Sequence, residues 1–220
     1  MKRIPFFQRP FAYKYYNATI ILVALNVVIF LLRYLAPNFH QIFIPYLVLV
    51  PNEFIHLINP WSIVSYLFIH ADPLHIIFNM ISLLLFGLII EQKLGSSEFL
   101  LYYFVIGILS GVLIAFVHPL LGWGETPVVG SSGAIYGLML AYATFFPQSR
   151  ILLWGIIPIK AYLLVLGLVV LSILASIFNF MANFAHIGHL GGVFFGLLYF
   201  MIRLRINPIK EIIYSRRYYL

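Results

Sequence analysis

Residues 130–146 read GSSGAIYGLMLAYATFF, a short apolar segment that begins with two serines. Gly133, Gly137 and Ala141 recur every four residues within it. Residues four apart lie on the same face of a helix, so the segment predicts a helix with a face of small residues that a second helix can approach closely. The serines lie where a loop enters this helix, and Ser132 is expected at or near its start.

The start of this helix suits a negatively charged group. Backbone N–H groups in the first helical turn are unpaired and point outward, so they favour an anion. A serine nucleophile beside such donors would have its oxyanion stabilised by them. The segment fits equally well a structural interpretation in which Ser131 or Ser132 caps the helix and the glycines serve packing.

The composition of the whole chain indicates an integral membrane protein. Of the 220 residues, 63% are hydrophobic and 9% are charged, whereas a soluble domain carries about 25% charged residues. Most of the surface must therefore face lipid. A helix needs about 20 apolar residues to cross the hydrocarbon core, and the sequence predicts an all-α bundle of six transmembrane helices. Their approximate bounds are Ala18–Tyr34, Leu74–Ile90, Phe99–Val117, Ser132–Phe146, Ala161–Phe178 and Ala185–Ile202.

The distribution of basic residues predicts the orientation of these helices. With the N-terminus in the cytoplasm, 12 of the 13 Lys and Arg residues fall on inner segments, and only Arg33 lies at an outer end. This is the asymmetry of the positive-inside rule, and with six spans it places both termini in the cytoplasm. It also explains the net charge of +7 without a nucleic acid partner. The 12 inner residues are Lys2, Arg3, Arg9, Lys14, Lys93, Arg150, Lys160, Arg203, Arg205, Lys210, Arg216 and Arg217.

The chain is predicted to form one membrane domain with short ends. Residues 1–17 are a basic cytoplasmic N-terminal segment, residues 18–203 the six-helix domain, and residues 204–220 a basic cytoplasmic tail. The minimal six-span form and the short tails favour a prokaryotic plasma membrane. The sequence does not predict an oligomeric state.

Residues 36–72 remain apolar although they lie outside the membrane in this arrangement. Pro45, Pro51 and Pro60 interrupt them, so no uninterrupted piece is long enough to span. The segment predicts a loop of short helices partly sunk in the outer leaflet. An additional span is the alternative interpretation.

Two histidines occur inside the last apolar span, in the stretch AHIGHLGG at residues 185–192. Polar side chains at membrane depth are costly and often functional, and histidine is the usual general base for a serine hydroxyl. His189, Gly192 and Gly196 share one helix face, which is expected to pack on the small face described above and bring His189 to Ser132. A packing histidine held by hydrogen bonds is the alternative.

The choice between the two histidines rests on their register with the glycines. Only His189 is in register with them, so it is the preferred base, and His186, which follows Ala185, is the alternative. No acidic residue lies near His189 in the sequence. A Ser–His dyad is therefore expected rather than a triad.

A further polar stretch, HADPLHIIFN, occupies residues 70–79. Asp72 and Pro73 predict a helix start, with the aspartate as cap and the proline at the first position. His75 and Asn79 then lie one turn apart on one face, and both can donate hydrogen bonds, as an oxyanion hole requires. The alternatives are hydrogen bonds between helices, or a metal site at the histidines. No metal or other cofactor is predicted, because the chain has no cysteine and a single aspartate.

The polar residues of three spans are expected at one depth. Spans two, four and six all start outside, which brings Ser132, His189, His75 and Asn79 into the outer half of the membrane. This coincidence favours a common site over three unrelated packing features.

Residues 91–95, EQKLG, lie at the inner end of the second span. Glu91 is expected to form hydrogen bonds with nearby backbone in a structural turn.

These motifs together resemble the rhomboid family of intramembrane serine proteases. Gly130-Ser131-Ser132-Gly133 resembles the Gly-x-Ser-Gly motif of that family, the histidines and asparagine of residues 70–79 resemble its second-span motif, and His189-Leu190-Gly191-Gly192 with Gly196 resembles its sixth-span motif. The resemblance covers about residues 61–196. A Trp-Arg pair found in the first outer loop of some members does not occur here.

The resemblance implies a role for each candidate residue. Ser132, flanked by Gly130 and Gly133 of the motif, would be the nucleophile and His189 the base. His75 and Asn79 would support the oxyanion together with the Ser132 backbone. Tyr136 would pack against the base. The candidate site residues are therefore Ser132, His189, His75, Asn79, Tyr136, Gly130 and Gly133.

The resemblance also implies the class of substrate. Substrates would be single-span membrane proteins, cleaved in or near the transmembrane segment where small residues occur. A non-catalytic relative that binds transmembrane helices is the alternative.

Overall fold

The computed structural model describes residues 5, 8–9, 11–153, 156–178 and 184–214. Within these residues the chain is a helical bundle with one β-hairpin. The elements are α1 (Ala18–Leu35), α2 (Pro37–Ile42), α3 (Ile44–Leu47), α4 (Pro51–Ile55), α5 (Ser62–Ser65), α6 (Pro73–Leu94, π-helical over Leu83–Gly87), α7 (Ser96–Leu120), α8 (Ser132–Phe145), β1 (Arg150–Leu153), β2 (Ile157–Lys160), α9 (Ala161–Phe178), α10 (Phe184–Tyr199, continued by the π-helical turn Phe200–Leu204) and α11 (Pro208–Tyr214).

Five helices are long and apolar enough to cross a membrane, namely α1, α6, α7, α9 and α10. They make the chain an integral membrane protein. The sixth apolar helix, α8, has 14 residues, which is about 21 Å and shorter than the hydrocarbon core of about 30 Å. Each predicted span coincides with one of these six helices.

Two elements differ from the prediction. Neither the hairpin β1–β2 nor α11 is predicted from the sequence, which assigns their residues to an inner loop and to the tail. Lys2, Arg3, Arg216 and Arg217, together with the outermost parts of the predicted terminal segments, lie outside the described residues.

Helix α8 lies at the centre of the bundle, enclosed by α7 and α10. Most of its residues are buried, and the fully buried side chains around it include Tyr102, Ile106, Leu138 and Phe200. In contrast, α1 and α9 expose large apolar side chains along most of their length. Exposed apolar surface of this size marks a membrane or protein contact, and on helices of spanning length it indicates lipid.

A buried carboxylate holds the start of α1. Glu91 is fully buried, and it accepts hydrogen bonds from the backbone N–H groups of Ala18 (2.6 Å) and Thr19 (2.8 Å) and from Ser96 Oγ (2.5 Å). These N–H groups have no partner within their own helix, and a negative charge there is favourable. The predicted structural role of Glu91 is confirmed, although its backbone partners lie in a distant helix.

A second buried carboxylate joins α7 to the end of α10. Glu98 accepts hydrogen bonds from Tyr199 Oη (2.5 Å) and from Arg203 Nε (2.5 Å) and Nη2 (2.8 Å). Paired donors of this kind offset the desolvation of a buried carboxylate. The two glutamates therefore fix the same end of the bundle.

The segment before α6, residues 36–72, consists of short helices, as predicted, and contains no additional long helix. It docks on α7, where the side chain of Leu67 lies against Gly107 and Tyr66 Oη donates to the Gly107 carbonyl at 2.6 Å. Leu49 and Val128 exchange backbone hydrogen bonds of 3.0 and 2.8 Å, which fasten this segment to the loop before α8. The guanidinium of Arg33 donates to the carbonyl of His70.

Replacing Glu91 by alanine tests the cap on α1. The substitution leaves the Ala18 and Thr19 N–H groups and the Ser96 hydroxyl without their acceptor. We expect a loss of about 3 kcal/mol in the free energy of unfolding, the cost of buried hydrogen bonds to a charged group. Thermal or denaturant unfolding in detergent measures it. Glu211→Ala, at an exposed glutamate of α11, is the matched control, and equal stability of the two variants would contradict the role given to Glu91.

Candidate active site

Ser132 and His189, which are 57 residues apart in the chain, are in direct contact. Ser132 is the first residue of α8, and its Oγ lies 2.9 Å from Nε2 of His189 on α10. The predicted juxtaposition is therefore present. A hydroxyl and an imidazole nitrogen at this distance have the geometry that lets a base remove a serine proton.

Glycines on both helices allow this contact. A Cβ on Gly192 would overlap the carbonyl of Gly133 and lie 2.8 Å from its carbonyl carbon. One turn further along, a Cβ on Gly137 would lie 3.3 Å from the Gly192 carbonyl oxygen, and one on Gly196 would lie 3.4 Å from the Gly137 Cα. The predicted packing of the two small faces is confirmed, with backbone against backbone.

Tyr136 holds the face of the imidazole. Its ring stacks on that of His189, with centroids 4.2 Å apart and an interplanar angle of 6°. The Nδ1 atom of His189 has no hydrogen-bond partner among the described residues. The orientation of the imidazole therefore comes from this stacking and from the contact with Ser132, without a carboxylate.

His186, the alternative base, lies beside the pair but does not contact the serine hydroxyl. Its ring is 6.0 Å from that of His189, edge to face. Neither of its nitrogens has a hydrogen-bond partner within the part of the chain that the structure describes. The geometry thus favours His189 over His186.

The start of α6 is built as the sequence predicts. Asp72 caps the helix by accepting from the His75 N–H at 2.9 Å, and Pro73 takes the first helical position. Asn79 Nδ2 donates to the His75 carbonyl at 2.8 Å, and Asn79 Oδ1 accepts from Ser131 Oγ at 3.4 Å. One amide N–H of Asn79 is thus used by its own helix, and the second remains for a ligand.

The loop before Ser132 passes close to the His75 ring. A Cβ on Gly130 would lie 2.7 Å from Nε2 of His75, and Gly130 has a φ of +103°. Both the close approach and the left-handed backbone require glycine here. The Gly130 N–H donates to the Tyr66 carbonyl at 2.9 Å, which fixes the loop on the segment before α6.

A cavity of about 500 Å³ connects these groups. His75, Asn79, Ser132, Tyr136 and His189 all line it. Its remaining walls are mostly apolar, the usual character of a ligand pocket with few oriented polar groups. The five predicted side chains therefore face one space.

Ser110 and Tyr66 are among the residues that line this cavity without being predicted from the sequence. Ser110 of α7 is fully buried, and its Oγ has no hydrogen-bond partner among the described residues. A Cβ on Gly133 would lie 3.1 Å from it. Tyr66 also lines the cavity. The only signal for Ser110 is a serine next to Gly111 in an apolar span, which indicates helix packing as readily as a site.

His70 lies behind His75 and is held neutral. Its ring is 5.1 Å from that of His75, and burial lowers the pKa of His70 to about 3.

Among the described residues no group of three His, Asp or Glu side chains is placed to hold a metal ion.

Comparison with known proteins identifies relatives. The model of the Rhomboid domain matches residues 58–206. "RHOMBOID-like protein 5" of Arabidopsis thaliana is 31% identical over 67% of this chain and 47% of its own length. "Rhomboid protein 1, mitochondrial" of Saccharomyces cerevisiae is 28% identical over 83% of this chain and 52% of its own. "Rhomboid-like protease 3" of Toxoplasma gondii is 26% identical over 62% and 49%. The chain thus spans about half the length of these relatives.

Gly192→Ala tests the contact between α8 and α10. The added methyl group overlaps the Gly133 carbonyl, so the helices must separate. We expect a loss of about 1–3 kcal/mol in the free energy of unfolding, as for other overpacked sites. Thermal unfolding in detergent measures it. Gly167→Ala is the matched control, because a Cβ there meets nothing within 4 Å. A Gly192→Ala protein as stable as Gly167→Ala would contradict the contact.

Proposed function

The chain belongs to the rhomboid family, and we propose that it is an intramembrane serine protease that cleaves substrates in or near their transmembrane segments. The observation that carries the proposal is the 2.9 Å contact between Ser132 Oγ and His189 Nε2 at the wall of a cavity. Family membership alone leaves open a non-catalytic relative that binds transmembrane helices. Such a protein has no need of a serine hydroxyl aligned with an imidazole, so the contact favours catalysis.

The proposed reaction proceeds through an acyl-enzyme. His189 Nε2 takes the proton of Ser132 as Oγ attacks the substrate carbonyl, and the resulting imidazolium gives that proton to the leaving amine. Water then attacks the ester, with His189 again as base, and releases the acid product and free Ser132. Stacking on Tyr136 keeps the imidazole aligned through both steps.

Three kinds of donor surround the expected position of the oxyanion. The Ser132 backbone N–H belongs to the first turn of α8 and has no helical partner. His75 and the second amide N–H of Asn79 line the same cavity. Donors held in place before reaction stabilise the developing negative charge without reorganisation.

We also propose the six-span topology expected from the sequence, which the distribution of basic residues supports. In it α8 counts as a sixth crossing, and both termini are cytoplasmic. Because α8 is short, it begins within the protein at membrane depth. The non-helical backbone before it lies against the cavity, and irregular backbone is tolerated at that depth where it lines a cavity.

The relatives include a protein named as mitochondrial and a plant protein, so they do not support the prokaryotic plasma membrane expected from the sequence. The proposed partners are membrane proteins with one transmembrane segment.

A fluorophosphonate probe tests the nucleophile. Folded wild-type protein in detergent should form a covalent adduct, and Ser132→Ala should form none, because the probe reacts only with an activated serine. Mass spectrometry of the intact protein reads both. Ser176→Ala is the matched control: this membrane serine only bonds its own helix, through the Ser172 carbonyl at 2.8 Å. Equal labelling of Ser132→Ala and wild type would contradict the assignment.

The same probe separates the two histidines. His189→Ala should lower the labelling rate by roughly 10³-fold or more, as loss of a catalytic base does. His186→Ala should keep most of it, because His186 does not contact the Ser132 hydroxyl. The reverse pattern would make His186 the base.

Asn79→Ala tests the oxyanion donor. We expect kcat for a peptide or membrane substrate to fall about 10²–10³-fold with little change in KM, because the donor acts on the transition state. The matched control is Asn26→Ala. Asn26 is buried in α1 and makes the same bond to its own helix, from Nδ2 to the Leu22 carbonyl at 2.8 Å. An equal fall in kcat for both variants would assign Asn79 a structural role only.

A further inference from the structure

Two cations face each other on the hairpin between α8 and α9. The strands β1 and β2 pair antiparallel, and their register places Arg150 directly opposite Lys160. Cβ atoms of such partners lie about 4.5–5.5 Å apart, and like charges in this position destabilise the pair. No hydrogen bond or ion pair joins either side chain to another residue in the described part of the chain. The repulsion is therefore not compensated within those residues.

The surroundings add positive charge and offer little negative charge. The ammonium of Lys93 lies 5.5 Å from the ring of Phe145, at the end of α8 from which the hairpin starts. Glu91 and Glu98, at this same end of the bundle, are buried and already bonded. The remaining acid of the described residues at this end is Glu211, which is exposed on α11.

The hairpin also exposes apolar side chains beside its two cations. Leu152, which shares a face of the hairpin with the two cations, is 57% exposed, and Ile156 beside the turn is 80% exposed. Ile151, in contrast, packs against the bundle core, so one part of the hairpin is anchored. A two-stranded hairpin in water is marginally stable without a packing partner, which an apolar surface from outside the chain would supply.

The depth of the hairpin is limited by its backbone. Each strand has four residues, and each has one edge without a strand partner among the residues that the structure describes. Unpaired N–H and C=O groups at an edge are not tolerated in hydrocarbon. The hairpin therefore suits the headgroup region, where water or headgroups satisfy the edges while side chains reach the acyl boundary.

We propose that this hairpin binds an anionic phospholipid at the membrane surface where α8 ends. The phosphate lies between Arg150 and Lys160 and offsets their repulsion, since guanidinium and ammonium groups both bind phosphate strongly. Leu152 and Ile156 enter the boundary between headgroups and acyl chains beside it. Basic groups next to an apolar face are the usual means by which a surface element recognises anionic lipid.

A nitroxide on Ile156→Cys measures the predicted depth. The chain has no native cysteine, so the label is unique. The protein is reconstituted in phosphatidylcholine vesicles, with or without phosphatidylglycerol, and collisions of the nitroxide with oxygen and with a water-soluble nickel complex are compared. With phosphatidylglycerol we expect oxygen to dominate, which places the label about 5–10 Å below the surface. Without it, or after Arg150→Gln and Lys160→Gln together, the accessibility should shift toward the nickel complex.

Two matched variants separate a binding site from net charge. Lys210→Gln removes an exposed cation of α11, and it should leave the depth of the label unchanged. Arg150→Lys keeps the positive charge, and it should also leave the depth of the label unchanged. Circular dichroism checks the fold of every variant. A label that is water-exposed in both lipids, or whose depth is independent of phosphatidylglycerol in the Ile156→Cys protein itself, would overturn the proposal.

Discussion

The backbone contact between Gly133 and Gly192 is the constraint on which the rest of this structure depends. A Cβ at position 192 would overlap the Gly133 carbonyl, so glycine there lets α10 approach α8 closely enough for His189 to reach Ser132. Lipid tails provide no hydrophobic force that drives helices together, so close packing of small residues is what holds them. The geometry of the site is thus a consequence of helix packing.

The polar groups of the bundle separate into two sets with different tasks. At one end, Glu91 and Glu98 are buried and have hydrogen-bond donors for both carboxylates, so they hold α1, α7 and α10 in place. At the other end, the polar groups line a cavity, and His189 Nδ1 and Ser110 Oγ have no hydrogen-bond partner among the described residues. Saturated networks stabilise a fold, whereas polar side chains on a cavity wall, such as His75 and Asn79, are placed to meet a ligand.

Much of this arrangement is predictable because lipid imposes simple rules. Apolar length locates the six main helices, and the register of Gly192 and Gly196 selects His189 over His186 before any coordinates are considered. The Asp72-Pro73 signal likewise gives the start of α6. Other features depend on tertiary contacts that local patterns do not contain. Glu91 caps a helix 73 residues away, and Ser110 belongs to the cavity only because α7 packs against Gly133. The strands of the hairpin have four residues each, which is too short for the alternation of side chains along a strand to be recognised in an apolar loop.

Proteolysis in a bilayer is the decisive test of catalysis at Ser132. The purified protein and a panel of single-span membrane proteins with small residues in their transmembrane segments are reconstituted together, and the products are identified by mass spectrometry. We expect wild-type protein to yield fragments cut in or near the transmembrane segment and Ser132→Ala to yield none. Cleavage that persists in Ser132→Ala would exclude Ser132 as the nucleophile. Folded wild-type protein that binds these segments but leaves every one of them intact would exclude the protease function.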